Sequence, residues 1–205
     1  MNPLWTRWAQ ELQSIAQNGL HYTADHYDRA RYEAVARIAA EINAACLDLD
    51  PRQTEAVFRG ELGHATPKVD VRGVVFDGDA ILLVREREDG GWTLPGGWAD
   101  VGETPSSAVV REIWEESGYR TRADKVLAVY DRNRQGHPPH PFHIYKILFQ
   151  CELLEGKPTP SNETSEVGFF REREIPELSL ARVLPGQIIR AFQHRQHPEW
   201  AADFD

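Results

Sequence analysis

The sequence predicts an α/β fold, in which a mixed sheet flanked by helices follows a small all-helical domain. Apolar residues recur at three- and four-residue steps between residues 4 and 62, a pattern typical of amphipathic helices. From Val69 onward they alternate with the period of two that is typical of strands. A glycine-rich loop then leads into an acidic helix between Gly97 and Tyr119. We expect a helical domain over residues 1–65 and an α/β domain over residues 66–205.

The helical domain contains three predicted helices. The first ends near Asn18-Gly19, because glycine suits a helix end. The second carries an apolar stripe between Tyr32 and Cys46, and the third begins at an Asp50-Pro51 cap and reaches about Leu62. This short stretch has more apolar surface than three helices can bury among themselves. We therefore expect it to pack against another domain or a second copy of the chain.

A linker at Thr66 to Lys68 leads into the strands of the α/β domain. The first strand begins at Val69 and ends before a turn at Asp77-Gly78. We expect the tail, which carries Trp200 and Phe204, to pack onto the domain. The other predicted elements are strands over Ala80–Arg87, Arg120–Asp131, Phe142–Leu154 and Glu166–Arg171, and a helix that begins at Pro185.

The acidic helix has well-defined predicted ends. Thr104 suits the N-cap, Pro105 the first helical position, and Gly118 the left-handed position after the last turn. About fourteen residues then form one helix, roughly 21 Å long. We expect Ile113 and the ring of Trp114 to pack inward.

Three glutamates lie on one face of this helix. Glu112, Glu115 and Glu116 fall at i, i+3 and i+4. A solvated acidic face is the alternative, but the helix dipole and mutual repulsion both disfavour three carboxylates in the last turns. A cation would offset that cost, and clustered oxygen ligands suit Mg²⁺ or Mn²⁺. The pattern therefore favours a metal site.

The stretch from Gly97 to Tyr119 resembles the Nudix box of the Nudix hydrolases. That motif has a glycine, five residues, a glutamate, seven residues, and then Arg-Glu-apolar-x-Glu-Glu-x-Gly-apolar. Tyr119 departs from it, as an aromatic residue where an aliphatic one is usual. The residues that carry the resemblance are Gly97, Glu103, Arg111, Glu112, Ile113, Glu115, Glu116, Gly118 and Tyr119.

The resemblance implies a Nudix-like α/β/α sandwich and a metal-dependent hydrolase. It implies that Glu103 and Arg111 support the loop and helix, and that Arg111 orients neighbouring carboxylates. Glycines of the loop allow the backbone to approach metal and phosphate closely. The implied metal ligands are Glu112, Glu115, Glu116 and the carbonyl of Gly96, with Gly97 beside them.

The general base is left open by the resemblance. Some family members use a glutamate of the box, and others use one on a later loop. The later candidates here are Glu163 and Glu166. The alternative is that these two residues belong to a polar turn before a strand.

Several basic residues could contact substrate. Arg72, Arg85 and Arg87 could bind phosphate, although a surface ion pair is favoured for each. Arg132 begins a loop that extends to Pro141 and contains His137, His140 and His143. Zinc binding is disfavoured there, because prolines exclude a helix and no thiolate is near. A rigid loop that shapes the pocket is favoured, with Arg132 and His140 as candidate substrate contacts.

The first thirty residues resemble the helical N-terminal domain found in a subgroup of Nudix hydrolases that act on nucleoside diphosphates linked to another moiety. The stretch LWTRWAQELQSIAQNGLHYTADHYDRARYE carries this resemblance. It implies a homodimer, in which Trp5 and Trp8 serve as core or interface aromatics. Tyr27, Asp28 and Arg29 are expected to hold the helices together.

Composition limits the possible partners and compartments. The formal net charge of −9 argues against broad nucleic-acid affinity. Two cysteines, Cys46 and Cys151, are too few for a disulfide framework. The sequence contains no apolar run near eighteen residues and no basic, then apolar, N-terminal segment. We expect a cytoplasmic protein that is neither membrane-bound nor exported.

The predicted function is metal-dependent hydrolysis of the pyrophosphate in a nucleoside diphosphate linked to a sugar or alcohol. The products would be a nucleoside monophosphate and a phosphorylated second moiety. The resemblance makes ADP-ribose and CDP-choline the leading substrates. Two alternatives stay open: a regulator that binds nucleotide without cleaving it, and an enzyme that acts on RNA ends or as an exonuclease.

Overall fold

The computed structural model describes residues 3–205 and divides the chain into two units. One unit comprises the residues up to Lys68 together with Pro139–His143. The other comprises Val69–Pro138 and Ile144–Asp205. The domain boundary expected at residues 65 and 66 stays a prediction. None of the described helices is both long and apolar enough to span a membrane.

Three helices form the first unit: α1 (Pro3–Tyr22), α2 (His26–Leu47) and α3 (Pro51–Gly60). Asp25 caps α2, since its Oδ1 accepts hydrogen bonds from the N–H groups of Tyr27 at 2.8 Å and Asp28 at 2.9 Å. Asp50 caps α3 in the same way through the N–H of Arg52 at 2.8 Å. These caps satisfy amide groups that have no partner within the helix.

The predicted end of α1 at Asn18-Gly19 is wrong. The helix continues to Tyr22, and Gly19 faces the ring of Tyr32 on α2. A Cβ atom at position 19 would lie 2.4 Å from that ring. Glycine therefore permits close helix packing here and does not end the helix.

The later segment Pro139–His143 is held within the helical unit by contacts with α1 and α3. The Gln10 amide donates to the carbonyl of His140 at 2.7 Å. The rings of Phe58 and Phe142 meet edge to face at 5.9 Å between centroids. The strand expected to begin at Phe142 starts two residues later because of this placement.

The second unit is built on a seven-stranded mixed sheet. Its strand order is β3-β2-β1-β5-β4-β7, with β6 paired to β2, and β4 and β7 run parallel. The elements are β1 (Lys68–Asp77), β2 (Ala80–Glu86), β3 (Trp92–Thr93), α4 (Pro105–Ser117), β4 (Tyr119–Asp131), β5 (Ile144–Gly156), β6 (Thr164–Arg171), α5 (Pro185–Gln196) and β7 (Asp203–Phe204).

Alternation along β1 places a core on each face of the sheet. Val71 packs in a cluster with Ile113 of α4, and Val74 packs in a second cluster with Ile188 of α5. A Cβ at Gly73 would lie 2.4 Å from Ile113, so glycine lets α4 approach the sheet closely. The predicted α/β/α sandwich, preceded by helices, is confirmed.

Two packing expectations are wrong. Trp114 is half exposed, with its ring centroid 5.9 Å from the Arg120 guanidinium. Phe204 is 81% exposed, although Trp200 does pack by stacking on His197 at 4.4 Å.

Candidate active site

The ends of α4 position the acidic face. The Thr104 hydroxyl accepts from the Ser107 N–H at 3.1 Å, and the Ser107 hydroxyl accepts from the Thr104 N–H at 2.9 Å. At the other end Gly118 adopts φ +78, and its N–H donates to the carbonyl of Trp114. The predicted caps are therefore correct, and they fix the helix where the glutamates face the glycine-rich loop.

The glycine-rich loop lies directly on β1. The Gly73 N–H donates to the carbonyl of Pro95, and the Val71 N–H donates to the carbonyl of Gly97, both at 2.8 Å. Gly96 has φ +142, and a Cβ there would lie 2.0 Å from the carbonyl oxygen of Val71. A residue with a side chain does not fit at this position without displacing β1.

The three glutamates of α4 have different surroundings. Glu116 is 6% exposed, and its Oε2 accepts from the Gly96 N–H at 2.8 Å. Burial raises the pKa of Glu116 to about 8. Burial also raises the pKa of Glu112, against the opposing effect of Arg111. The Glu115 side chain is 48% exposed.

Arg111 connects three of the predicted glutamates. Its Nε and Nη2 donate to the two carboxylate oxygens of Glu103, both at 2.9 Å. Its Nη1 donates to Glu112 at 2.9 Å and to Glu115 at 3.0 Å. These hydrogen bonds raise the pKa of the Arg111 guanidinium, and the bond with Glu103 has the largest effect.

These groups border a cleft of about 490 Å³. Among the described residues, no three His, Cys, Asp or Glu side chains converge on one point as metal ligands do. Their oxygens are directed to other donors, since Glu116 binds the Gly96 amide, and Glu112 and Glu115 share Arg111. The lining residues are Arg72, Glu86, Gly97, Trp98, Asp100, Arg111, Glu112, Glu115, Glu116, Ser161, Asn162, Glu163 and Arg182.

The donor set nevertheless fits a divalent cation. It consists of carboxylate oxygens, and Arg111 Nη1 already occupies a cationic position between two of them. A Cβ at Gly97 would lie 3.1 Å from the Glu112 carboxylate, so the loop backbone closely lines the same pocket.

A buried cluster of charges lies beside the cleft, and sequence reasoning missed it. Asp70 pairs with both Arg72 and Lys146, and all three are at least 90% buried. Burial opposes ionisation of Asp70, but the two cations outweigh it and lower its pKa. Burial lowers the pKa of Lys146 to about 8. The surface ion pair favoured for Arg72 is therefore wrong, because its pair with Asp70 is buried.

Glu86 and Arg182 are a second missed pair in the cleft. Arg182 Nε lies 2.9 Å from Glu86 Oε1, and Glu86 is 6% exposed. Burial raises the pKa of Glu86. Both residues lie outside the acidic helix, and only the sheet and the loop before α5 bring them to the cleft.

The two later candidates for the general base lie in different places. Glu163 lines the cleft, whereas Glu166 lies outside it and pairs with Arg85 at 2.6 Å on the surface. Arg87 donates to the carbonyl of Ser161 at 3.3 Å.

The candidate substrate contacts of the 132–141 loop do not line the cleft. Arg132 is buried and donates to the carbonyl of Pro138 at 2.8 Å. His140 belongs to the helical unit. His137 belongs to the α/β unit, where a ring nitrogen lies 2.8 Å from the carbonyl oxygen of Leu180. Burial lowers the pKa of His137 to about 4.

Two family models match this chain. One, described as a NUDIX domain, matches residues 66–192. The other, described as a UDP-X-like N-terminal oligomerisation domain, matches residues 3–58.

Similar proteins cover most of the chain. The Bacillus subtilis (strain 168) protein YjhB, provisionally named an ADP-ribose pyrophosphatase, is 42% identical over 201 residues, 98% of this chain and 97% of that protein. A crystal structure of a UDP-X diphosphatase is 30% identical with a TM-score of 0.64, and the match covers both chains in full. A crystal structure of an ADP-ribose pyrophosphatase from Streptococcus suis 89-1591 is 36% identical with a TM-score of 0.63, over 68% of this chain and 100% of that one.

Proposed function

The chain belongs to the NUDIX family and is a Nudix hydrolase, and we propose that it cleaves, with a divalent metal, the pyrophosphate of a nucleoside diphosphate linked to another moiety. The charge of the cleft carries this proposal. Its lining holds six carboxylates and three arginines. An anionic pyrophosphate enters such a site only when cations outweigh the excess carboxylates.

The proposed metal ligands are Glu112, Glu115, Glu116 and the carbonyl of Gly96, and the metal is Mg²⁺ or Mn²⁺. The carboxylates on one helix face and the close loop backbone support this choice. A bound divalent cation neutralises phosphoryl oxygens and lowers the pKa of a bound water into the nucleophilic range.

The protein residues orient these groups. Arg111 holds Glu112 and Glu115 in place and is itself held by Glu103. Glu163 lines the same cleft, so we propose that it positions or deprotonates the attacking water. Glu166 is a weaker candidate, because it pairs with Arg85 outside the cleft.

ADP-ribose is the first proposed substrate and CDP-choline the second. The names of the relative from Bacillus subtilis and of the structure from Streptococcus suis support ADP-ribose. CDP-choline has the same linkage with a different base and second moiety. Hydrolysis would yield AMP and ribose 5-phosphate from the first, and CMP and phosphocholine from the second.

We also propose that the helical unit forms a homodimer. The description of the matching N-terminal model supports this. The exposed rings of Trp5 and Trp8 on α1 also support it. These residues are 48% and 41% exposed, and their rings meet edge to face with 5.1 Å between centroids. Exposed neighbouring aromatics favour burial against a partner surface.

A substrate panel tests the proposed reaction. Phosphate released after phosphatase coupling is measured with ADP-ribose, CDP-choline, NADH, diadenosine polyphosphates and nucleoside triphosphates, with Mg²⁺, with Mn²⁺ and with EDTA. We expect one nucleoside diphosphate derivative to be cleaved best, and only with metal. Cleavage in EDTA would contradict the metal requirement. Nucleotide binding without any cleavage would indicate a sensor. Capped RNA is assayed beside the panel, and its preferred hydrolysis would indicate an RNA enzyme.

A further inference from the structure

Thr164 is a fully buried threonine at the start of β6, directly after Glu163. Its hydroxyl donates to the carbonyl of Glu116, 48 positions away in the chain, at 2.8 Å. Glu116 belongs to the last turn of α4, where carbonyl groups have no partner within the helix. The Thr164 hydroxyl therefore satisfies the end of the helix that carries the acidic face.

The same hydroxyl closes the turn that contains Glu163. It accepts from the Ser161 N–H at 3.0 Å. The Ser161 hydroxyl in turn accepts from the Glu163 N–H at 3.0 Å and the Thr164 N–H at 3.1 Å. Hydroxyl groups that bind nearby backbone amides in this way stabilise turns. The backbone of Glu163 is thus held by two neighbouring hydroxyls.

The turn is also bound to β2. The Glu163 carbonyl accepts from the Arg87 N–H at 2.9 Å. The Ser161 carbonyl accepts from Nε and Nη2 of Arg87, both at 3.3 Å. Residues 161–164 are therefore attached to α4 on one side and to β2 on the other. With the backbone held at both sides, the Glu163 carboxylate moves only through its side-chain torsions.

The Glu163 carboxylate itself is uncommitted. It lines the cleft, and no side chain among residues 3–205 donates a hydrogen bond to it. Burial raises the pKa of Glu86 in the same cleft, and the charge of Glu163 adds to this effect. A free carboxylate on a fixed backbone suits a group that must reach a water molecule from a constant position.

We propose that the Thr164 hydroxyl positions Glu163 over the acidic face, by fixing the turn at residues 161–163 to the last turn of α4. This inference rests on the proposed function, in which Glu163 positions or deprotonates the attacking water. Thr164 is buried behind the turn and acts through Glu163, so it is a positioning residue. Its contribution is the distance between the base and the glutamates of α4, and a misplacement of about 1 Å can cost on the order of 100-fold in rate.

Steady-state kinetics with matched variants test the proposal. Thr164→Val keeps the shape of the side chain without the hydroxyl, and Thr164→Ser restores the hydroxyl. Thr159→Val is the control, because its exposed hydroxyl bonds only to the nearby Lys157 carbonyl at 3.1 Å. We expect Thr164→Val to lower kcat for ADP-ribose about 10-fold, with KM within about twofold. Thr164→Ser should recover most of this loss, and the control should match the parent protein.

A double-mutant cycle separates positioning from general damage. If Thr164 acts through Glu163, Thr164→Val should change kcat by less than about twofold in a Glu163→Gln background. The Mg²⁺ concentration for half-maximal turnover should also stay within about twofold, because the Glu116 carboxylate keeps its bond to the Gly96 N–H. Equal losses in both backgrounds, an unchanged kcat in Thr164→Val, or a raised Mg²⁺ requirement would each overturn the proposal.

A second variant covers the event that Thr164→Val does not fold at the assay temperature. Arg87 is exposed, so Arg87→Met removes the bonds to the Ser161 carbonyl without touching the core. We expect it to lower kcat about threefold, and this loss should again be absent beside Glu163→Gln. A loss that persists beside Glu163→Gln would overturn the positioning of Glu163 by this turn.

Amide hydrogen exchange separates this inference from the proposed reaction, because it needs no turnover. On the full chain, we expect Thr164→Val to speed exchange at the Ser161 and Glu163 amides on the order of 10-fold and to leave the Thr159 amide unchanged. Unchanged exchange at all three amides would overturn the positioning role alone. A parent-like kcat of Glu163→Gln would instead overturn the base in the proposed function.

Discussion

The replacement of Glu116 by glutamine has an expected effect on stability as well as on turnover. Glu116 is 6% exposed, and burial raises its pKa from 4.5 to about 8. Since the folded pKa is higher than the unfolded one, the folded protein binds this proton more tightly. The contribution to the free energy of unfolding is full below pH 4.5, declines as pH rises, and is lost above about pH 8.

The size of the effect on stability follows from the difference between the unfolded and folded pKa values of Glu116. One pKa unit corresponds to about 1.4 kcal/mol, so the raised pKa of Glu116 lowers the free energy of unfolding by on the order of 3 kcal/mol near pH 7, where the folded state keeps a proton that the unfolded state releases. Glutamine cannot ionise, and it retains an oxygen that can accept from the Gly96 N–H. Without divalent cations we therefore expect Glu116→Gln to raise the melting temperature by roughly 5–10 °C at pH 7. Its advantage should shrink toward pH 5.

The assay is thermal unfolding in EDTA between pH 5 and pH 9, with turnover measured in parallel in Mg²⁺. Glu115→Gln is the matched control, because Glu115 is half exposed and bound to Arg111. We expect both variants to lose turnover by orders of magnitude and only Glu116→Gln to gain stability. Equal or lower stability of Glu116→Gln at pH 8 would refute the assignment of burial cost to this carboxylate. Wild-type turnover of either variant would refute its role as a metal ligand.

Three further predictions concern the cleft, the loop and the helical unit. Glu163→Gln should lower kcat by about 100-fold, whereas Glu166→Gln should stay within about threefold; equal kcat values would remove Glu163 as the base. Gly96→Ala should lower the free energy of unfolding by about 3 kcal/mol or more, because its Cβ would meet β1. Gly102→Ala, also at positive φ but with open space around its Cβ, should cost less, and equal denaturation midpoints would contradict the clash. Trp8→Glu should convert the proposed homodimer to a monomer in light scattering after size exclusion; an unchanged dimer mass would exclude Trp8 from the interface.

Local features of the sequence predicted the helices and strands better than they predicted the surroundings of individual side chains. Thr104 and Gly118 cap α4 as expected, because a cap depends on residues within one helical turn. Gly19 misled because the reason for it is the ring of Tyr32 on another helix. Arg72 misled for the same reason. Its partner Asp70 also pairs with Lys146, which lies 76 positions further along the chain.

The acidic face shows the same limit. Spacing alone placed Glu112, Glu115 and Glu116 together, but it could not distinguish them. Glu116 is buried because the loop amide of Gly96 and the guanidinium of Arg72 lie beside it, and neither is local to α4. The position of Trp98 in the cleft likewise depends on pairing with β1.

The geometry of Arg111 suggests how the acidic face accommodates both an arginine and a metal. Nη1 is within 3.0 Å of Glu112 and Glu115, so a cation that binds the same two oxygens must displace it. Nε and Nη2 are bound separately to both oxygens of Glu103. Glu103 can therefore retain the guanidinium while Nη1 moves aside, which keeps a positive charge next to the cleft for the substrate. On the proposed mechanism, the glutamate eight residues before Arg111 is needed because it holds that arginine independently of the metal ligands.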